Sequence, residues 1–107
     1  MLKTKEHYCQ ILMAAQQKEN GVCVKTRKWR LKKYPNCFVA SEFVAWLCKR
    51  YRVDRENCVK CCQTFQENKF ISHVAAKQKF QDSSNLYFKF SVSSRLKLRI
   101  FLLINAF

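Results

Sequence analysis

The first 21 residues carry apolar side chains at the spacing of an α-helix. The apolar stripe of this segment consists of Tyr8, Ile11, Leu12 and Ala15. Intervals of three and four residues place these side chains on one helical face, so the pattern predicts a first helix. Thr4 is a candidate N-cap, and Gly21 stands after Asn20, where a left-handed residue would end the helix.

A period of two follows over residues 22–34, where apolar and basic residues alternate. This alternation is typical of strands, and it predicts a hairpin of two short strands with a turn near Arg27 and Lys28. The segment lacks the Asn-Gly or Asp-Gly pair that would specify the turn type. Pro35 has no backbone N–H to donate, so residues 34–36 are predicted to form the turn that leaves the hairpin.

Two further helices are predicted in the middle of the chain, with Ser41 as the N-cap of the second and Asp54 as the N-cap of the third. The buried stripe of the second helix is predicted to be Phe43, Trp46, Leu47 and Tyr51. That of the third helix is predicted to be Cys58, Cys61, Cys62 and Phe65. Trp46 is expected at the centre of the core, because its stripe partners are large and apolar.

Two short strands are predicted between residues 70 and 90. The first is indicated by Phe70, Ile71 and Val74, and the second by Leu86, Phe88 and Phe90 on one side. An exposed loop over residues 78–85 connects them. The predicted fold class is therefore α+β: a three-helix bundle with a β-hairpin arm between helices 1 and 2 and a short C-terminal β-sheet, which is winged-helix-like. Residues 1–91 form the predicted domain, and residues 92–107 form a basic-apolar tail outside it.

The positive charge of the chain adds a binding hypothesis to the predicted fold. The chain has 21 Lys and Arg against 7 Asp and Glu, a formal net charge of +14. Such an excess indicates a polyanionic neighbour, although a merely solvated surface is the alternative. The excess is concentrated, because no acidic residue occurs between Asn20 and Ser41. The predicted binding residues are Lys25, Arg27, Lys28, Trp29, Arg30, Lys32 and Lys33, with a secondary basic patch of Lys49, Arg50 and Arg52.

The cysteines and histidines carry a weaker signal for chemistry. Seven cysteines, an odd number, without a recognisable secretory leader favour free thiols in a reducing compartment. Cys58, Cys61 and Cys62 share one helical face, and His73 is the nearest fourth ligand for zinc. No second paired ligand motif accompanies them, so we expect core thiols and no metal. No phosphate-binding loop and no nucleophile–base motif is present, so neither a cofactor nor an enzyme is predicted.

The central residues are recognisable as those of a known family. Residues 34–47, YPNCFVASEFVAWL, resemble the signature of DEP domains, in which an aromatic side chain enters the core just before a helix with a Trp-Leu pair. Residues 25–31 are similar to the hairpin arm of the Dishevelled branch. Residues 70–74 and 80–90 resemble the closing strands of the family. The resemblance extends from about residue 8 to residue 91.

This resemblance implies a non-catalytic module of intracellular signal transduction. The resemblance implies recruitment of a parent protein to anionic membranes or to receptor and other protein partners. The implied partners are therefore anionic phospholipid headgroups or acidic and receptor-tail segments of a membrane protein. The implied location is cytoplasmic, at the inner face of a membrane. Trp29 has two interpretations: it packs the hairpin on the helices, or it enters the lipid interface while its basic neighbours meet phosphates.

Nucleic acid is the alternative ligand, because winged-helix domains often place their third helix in the major groove of DNA. A recognition helix should be visibly basic. The predicted third helix instead balances its charges, with three acidic and three basic residues over 54–69. Docking on lipid or protein is therefore preferred to DNA binding. A passive spacer or an autoinhibitory domain is a third interpretation.

Overall fold

The computed structural model describes residues 5–91, with the side chains of residue 8 and residues 10–91. The elements are α1 (Lys5–Ala15), β1 (Lys25–Trp29), β2 (Lys32–Val39), α2 (Ala40–Tyr51), α3 (Arg55–Glu67), β3 (Ile71–His73) and β4 (Tyr87–Phe90). This order confirms the predicted α+β class, with a hairpin between the first two helices. The predicted cap at Thr4 and the predicted tail lie outside the described residues.

Helix α1 ends earlier than its sequence pattern predicts. The helix stops at Ala15, and the left-handed conformation falls on Asn20 (φ 64°) instead of Gly21. The prediction of a left-handed glycine cap is therefore wrong. Gly21 is required for space, because a Cβ atom there would lie 2.6 Å from the carbonyl oxygen of Ala15. The chain closes over the helix end, and the N–H of Val22 donates to that same carbonyl.

The hairpin turn lies three residues beyond the predicted position. Strands β1 and β2 pair antiparallel up to the pair Trp29 and Lys32. Arg30 and Leu31 form the two-residue turn with φ angles of 48° and 70°. Positive φ at both central residues is the type I′ geometry, which matches the right-handed twist of the strands. The predicted turn at Arg27 and Lys28 is wrong, because both residues lie inside β1 and pair with Tyr34 and Lys33 of β2.

Strand β2 continues through the segment that was expected to leave the hairpin. Lys25 pairs with Cys37 and Arg27 with Tyr34, so β2 contains one residue more than β1 over this stretch. Asn36 has a φ of 54°, as expected for a bulge residue. A bulge tolerates Pro35, because an unpaired position needs no backbone donor. The predicted exit turn at residues 34–36 is thus a bulge inside a strand.

The hairpin and the two closing strands form one antiparallel sheet. The strand order is β1-β2-β4-β3. Phe38 of β2 pairs with Phe88 of β4, and Phe88 also pairs with His73 of β3. The hairpin is therefore continuous with the C-terminal sheet through β2, which the sequence pattern did not indicate.

The helix starts are capped in two different ways. Asp54 caps α3 as predicted, because its carboxylate accepts from the backbone N–H of Asn57 at 3.3 Å. Ser41 is not a cap, since α2 begins at Ala40 without a side-chain cap. The N–H groups of Ala40 and Ser41 donate to the carbonyls of Leu86 and Ser83 at 2.9 and 3.1 Å. The loop before β4 thus replaces the missing cap of α2.

An ion pair holds this loop against both helix starts. The Arg55 side chain donates through Nε and Nη2 to the carboxylate of Asp82 at 2.7 and 2.8 Å. It also donates to the carbonyl of Ser41 at 3.3 Å. Hydrogen bonding and the charge of Arg55 lower the pKa of Asp82 below its usual range. A bidentate pair of this kind fixes geometry as well as charge.

The loop over residues 78–85 is anchored, although an exposed loop is predicted there. Phe80 is completely buried, with its ring centroid 4.9 Å from that of Phe88. The side-chain amide of Gln66 accepts from the N–H of Phe80 at 2.7 Å and donates to the carbonyl of Gln78 at 2.8 Å. Gln63 donates to the carbonyl of Phe80 at 3.0 Å. These bonds replace the water that an exposed loop would need.

The centre of the core is a group of phenylalanines and not Trp46. The ring of Phe38 lies 5.0 Å from Phe43 and 4.8 Å from Phe90, and Phe43 stacks on Phe65 at 6.4 Å. Trp46 contacts Phe43 but is only partly buried, and its indole N–H donates to the carbonyl of Asn20 at 2.8 Å. The predicted central role of Trp46 is wrong, because its polar N–H lies at the edge where the α1–β1 connection supplies an acceptor.

Replacing Phe38 should therefore cost more stability than replacing Trp46. We expect Phe38→Ala to lower the unfolding free energy by about 3–5 kcal/mol, as for other deeply buried aromatic side chains. Trp46→Ala should cost less, since the indole is partly exposed and its hydrogen bond contributes about 1 kcal/mol net. Urea unfolding measures both, with the exposed Leu31→Ala as a control that should stay within about 0.5 kcal/mol. A larger loss for Trp46→Ala would contradict this core assignment.

Candidate functional site

An exposed leucine marks the end of the hairpin arm, which we define as residues 25–34. Leu31 is 92% exposed, more than any other large apolar residue that the structure describes as exposed. It occupies the second position of the turn, between the exposed Arg30 and Lys32. The two-residue turn thus presents one apolar side chain between two cations. Leu31 is absent from the predicted site residues. A turn near Arg27 and Lys28 would put Leu31 inside the second strand and not at the tip.

Two further cations stand behind this tip. Lys28 and Lys33 pair directly across β1 and β2, and both are exposed. Like charges at directly opposite positions of a sheet destabilise it by a fraction of a kcal/mol, roughly. No carboxylate occurs in the sequence from Asn20 to Ser41 to offset them. The exposed cations of the arm are Lys25, Lys28, Arg30, Lys32 and Lys33.

Arg27 stands apart from these exposed cations. Its side chain is only 11% exposed, and Nη2 lies 3.8 Å from the carboxylate of Glu42. Its guanidinium donates to the carbonyls of Cys37 and Cys23 at 3.3 and 3.4 Å. The same group lies 5.8 Å from the ring centroid of Tyr87. The structure therefore places Arg27 at the base of the arm, where it joins the arm to the body of the domain.

Trp29 packs the arm against His73 of β3. Its ring centroid lies 4.7 Å from that of His73, in an edge-to-face arrangement. The guanidinium of Arg30 lies over the indole at 4.3 Å from its centroid, and Lys32 similarly lies 5.5 Å from the ring of Tyr34. This geometry matches the packing interpretation of Trp29. The apolar side chain free to meet a partner is Leu31.

The ring of His73 lies between the arm and the core and contacts both. The residue is 1% exposed, and its ring also contacts Phe88 at 5.4 Å between centroids. Its Nδ1 accepts from the N–H groups of Ala75 and Lys77 at 3.1 and 3.4 Å. Burial, with a smaller effect of Arg30, lowers the pKa of His73. The neutral ring with a proton on Nε2 fits these bonds, because a protonated Nδ1 could not accept.

The secondary basic patch lies on another element. Lys49, Arg50 and Arg52 are exposed at the C-terminal end of α2. Arg50 lies over Trp46 at 5.4 Å from its ring centroid. Arg52 ends the helix in a left-handed conformation (φ 55°). These cations also complement the negative end of the helix dipole, which is a structural role of their own.

The cysteines of α3 lie in the core. Cys58, Cys61 and Cys62 are buried and unpaired. Burial raises the pKa of Cys61 to about 12, so its thiol stays protonated. Among the side chains that the structure describes, no group of three or more His, Cys, Asp and Glu could hold a metal ion. Within residues 5–91, no helix is both long enough and apolar enough to cross a membrane.

The architecture defines the class of domain. The solution structure of the DEP domain of mouse pleckstrin matches this fold with a TM-score of 0.72 and 14% identity, covering 87% of this chain and 95% of that chain. The DEP domain of mouse pleckstrin2 matches with a TM-score of 0.73 and 17% identity, covering 85% of this chain and 86% of the other. At these identities the likeness concerns the fold alone.

Sequence comparison places the chain within that class. The family described as the domain found in Dishevelled, Egl-10 and Pleckstrin matches residues 21–90. The chain belongs to the DEP family, which confirms the resemblance of residues 34–47. DEP domains are non-catalytic modules of signalling proteins.

Curated relatives are far longer than this chain. The vacuolar membrane-associated protein iml1 of Emericella nidulans is 34% identical over 73 residues, which are 66% of this chain and 4% of that protein. The phosphatidylinositol 3,4,5-trisphosphate-dependent Rac exchanger 2 protein of Homo sapiens is 40% identical over 68 residues, 63% of this chain and 4% of that protein. The match thus concerns a small part of each of these relatives.

The buried His73 should make the stability of the domain depend on pH. Its pKa is lowered in the folded state, so its contribution is fully present above the unfolded value of about 6.5. That contribution is lost as the pH falls from there towards the folded value, because the unfolded chain then binds the proton more readily. We expect the unfolding free energy to fall between pH 7.5 and pH 5.5, as measured by urea denaturation.

His73→Phe should flatten this pH dependence even if it shifts the absolute stability. His7 is the only other histidine, so a His7→Gln background removes its titration from both measurements. An equally steep slope in the His73→Phe variant would show that another group titrates.

Proposed function

We propose that this DEP domain recruits its parent protein to the cytoplasmic face of an anionic membrane through the tip of the arm, without catalysing a reaction. The observation that carries the proposal is Leu31, 92% exposed and bordered by Arg30 and Lys32. An apolar side chain surrounded by cations suits a lipid interface, where hydrocarbon lies beneath a layer of phosphates. The cytoplasmic leaflet is the one that carries anionic lipids.

The magnitudes fit weak and reversible recruitment. Each Lys or Arg near an anionic surface contributes about 1 kcal/mol, and burying a leucine contributes about 2 kcal/mol. Lys28, Arg30, Lys32 and Lys33 with Leu31 would together provide several kcal/mol before the cost of association. Such binding is sensitive to salt and would serve as one of several attachments of a longer protein.

The side chains of the arm are arranged for this contact. The guanidinium of Arg30 lies over the ring of Trp29 and the ammonium of Lys32 over the ring of Tyr34, which restrains both charged groups. Trp29 fixes the arm on His73, so the tip approaches a surface as part of a rigid sheet. Less conformational entropy is lost on binding when the cations are already held in place.

Two relatives support a membrane role. One is named a vacuolar membrane-associated protein, and the other a phosphatidylinositol 3,4,5-trisphosphate-dependent Rac exchanger. Both names describe proteins much longer than this chain. A module shared by membrane-associated signalling proteins is consistent with attachment to phospholipid.

Nucleic acid is a less favoured ligand on this geometry. Arg55 of α3 is held by Asp82, and Lys60 lies 3.9 Å from Glu56. Glu67 adds a further negative charge to the same helix. Because the cations of α3 are paired with carboxylates, the helix has little positive charge left for phosphates in a major groove.

Charge reversal on the arm should remove vesicle binding. We expect Lys28→Glu, Arg30→Glu and Lys32→Glu together to weaken co-sedimentation with phosphatidylserine-containing vesicles by at least about 100-fold, since about 1 kcal/mol is lost per residue. The matched control reverses three exposed lysines elsewhere, Lys18, Lys60 and Lys79, and has the same net charge. Equal losses in both variants would show that net charge and not the arm binds. Tighter binding to duplex DNA than to vesicles would favour the nucleic-acid alternative.

The apolar contact has its own signature. Leu31→Ser should weaken vesicle binding by about tenfold or more, because the side chain no longer enters the hydrocarbon boundary. The dependence of binding on salt should stay unchanged, since no charge is altered. Measuring binding at 50, 150 and 300 mM salt (concentrations on the order of those that screen exposed charges) separates the two contributions. Unchanged affinity would exclude insertion of the tip.

A further inference from the structure

The outer side of β1 is an unpaired sheet edge within residues 5–91. The strand order places β1 at the end of the sheet, with β2 on its other side. Lys25, Thr26 and Lys28 of this strand are exposed. An exposed edge offers backbone N–H and C=O groups to any extended segment that can pair with it.

The hairpin register identifies the outward-facing backbone groups. Trp29 and Lys32 close a two-residue turn, and the closing pair of such a hairpin exchanges hydrogen bonds. Bonded and non-bonded pairs alternate along antiparallel strands, so Lys28 and Lys33 form a non-bonded pair. The N–H and C=O groups of Lys28 therefore point away from β2. Those of Thr26, two residues earlier, do the same.

The charge of this edge selects what can pair with it. Lys28 of β1 lies directly opposite Lys33 of β2, and the sequence has no carboxylate between Asn20 and Ser41 to offset this like-charged pair. A strand added beside β1 would place one side chain directly opposite Lys28, about 4.5–5.5 Å away between Cβ atoms. An acidic side chain at that position would attract Lys28 and offset its repulsion from Lys33.

We propose that the outer edge of β1 binds an extended acidic segment of a partner protein by strand addition. This site uses backbone bonds at Thr26 and Lys28, whereas the membrane contact uses the tip at Leu31. The two sites are therefore separable, and the edge site does not depend on the proposed recruitment.

Other occupants match the edge less well. A second copy of β1 would bring lysines and arginine against Lys28. The segment 92–107 of this chain contains Arg95, Lys97 and Arg99 and no acidic residue. A lipid surface offers no row of backbone donors and acceptors. Charge complementarity together with backbone pairing thus favours an acidic strand.

Backbone pairing can be tested directly with synthetic peptides. The probe is a ten-residue peptide of alternating Glu and Thr, titrated into the full chain and followed by amide NMR shifts and hydrogen exchange. We expect the amides of Thr26 and Lys28 to become at least tenfold better protected. Two further peptides carry N-methyl groups on the odd or on the even amides, and one of them should lose binding by at least tenfold.

Two variants separate this site from the tip. Lys28→Glu should weaken the peptide at least tenfold, whereas the equally charged Lys18→Glu should not. Leu31→Ser should leave peptide binding unchanged while it weakens vesicle binding, so the two proposals can fail independently. The inference is overturned if both N-methylated peptides bind as well as the parent, if the shifts centre on Lys49 and Arg50, or if the peptide does not bind.

Discussion

The packing of Phe38 between the sheet and the helices is the contact on which the rest of the domain depends. This residue stands at the end of β2, and its ring touches Phe43 of α2 and both Phe88 and Phe90 of β4. One strand therefore begins at the exposed tip and ends in the core. Because β2 continues through its bulge from the tip to Phe38, the packing of the core helps to set the position of the tip.

The backbone of the tip is strained. Arg30 and Leu31 both adopt positive φ without being glycine or asparagine. A left-handed conformation costs an ordinary residue roughly 1–2 kcal/mol. Asn-Gly would make the same turn at lower cost, yet would present neither a leucine nor a cation. Stability is lost at this position, and an apolar side chain between charges is what the chain gains there.

Polar side chains in this domain hold loops and helix ends in place, which regular caps and turns do in other proteins. Arg55 and Asp82 hold the loop whose carbonyls cap α2. Gln66 accepts from the N–H of Phe80 and donates to the carbonyl of Gln78. His73 accepts two backbone N–H groups while its ring supports Trp29. The bonds of Arg55 and Gln66 and the packing of Trp29 on His73 join segments distant in sequence, whereas His73 bonds its own following turn. Together they allow a chain with a single glycine and a single proline to make several sharp changes of direction.

The sequence by itself determined the element types, the family and the concentration of positive charge over residues 20–41. Helical spacing, strand alternation and a short family signature are local properties, so they can be read without contacts. Asp54 was predictable as a cap for the same reason. The exposed charges of Lys28 and Lys33 were likewise visible as a run, although not as a directly opposed pair.

Only the tertiary structure decided where the strands turn and which side chains are free. The bulge at Pro35 and Asn36 depends on the register with β1, and the exposure of Leu31 follows from a turn that no local motif marks. In the sequence Arg27 is indistinguishable from the other cations of the arm. In the structure it is bound by Glu42 and by the carbonyl of Cys37. Trp46 lies in an apolar stripe that predicts a core position, but its indole N–H needs an acceptor. The carbonyl of Asn20 supplies that acceptor near the surface. These partners of Arg27 and Trp46 lie at least 10 residues away along the chain, and the turn and the bulge are set by the pairing of two strands. Spacing and propensity within one segment carry no information about such contacts.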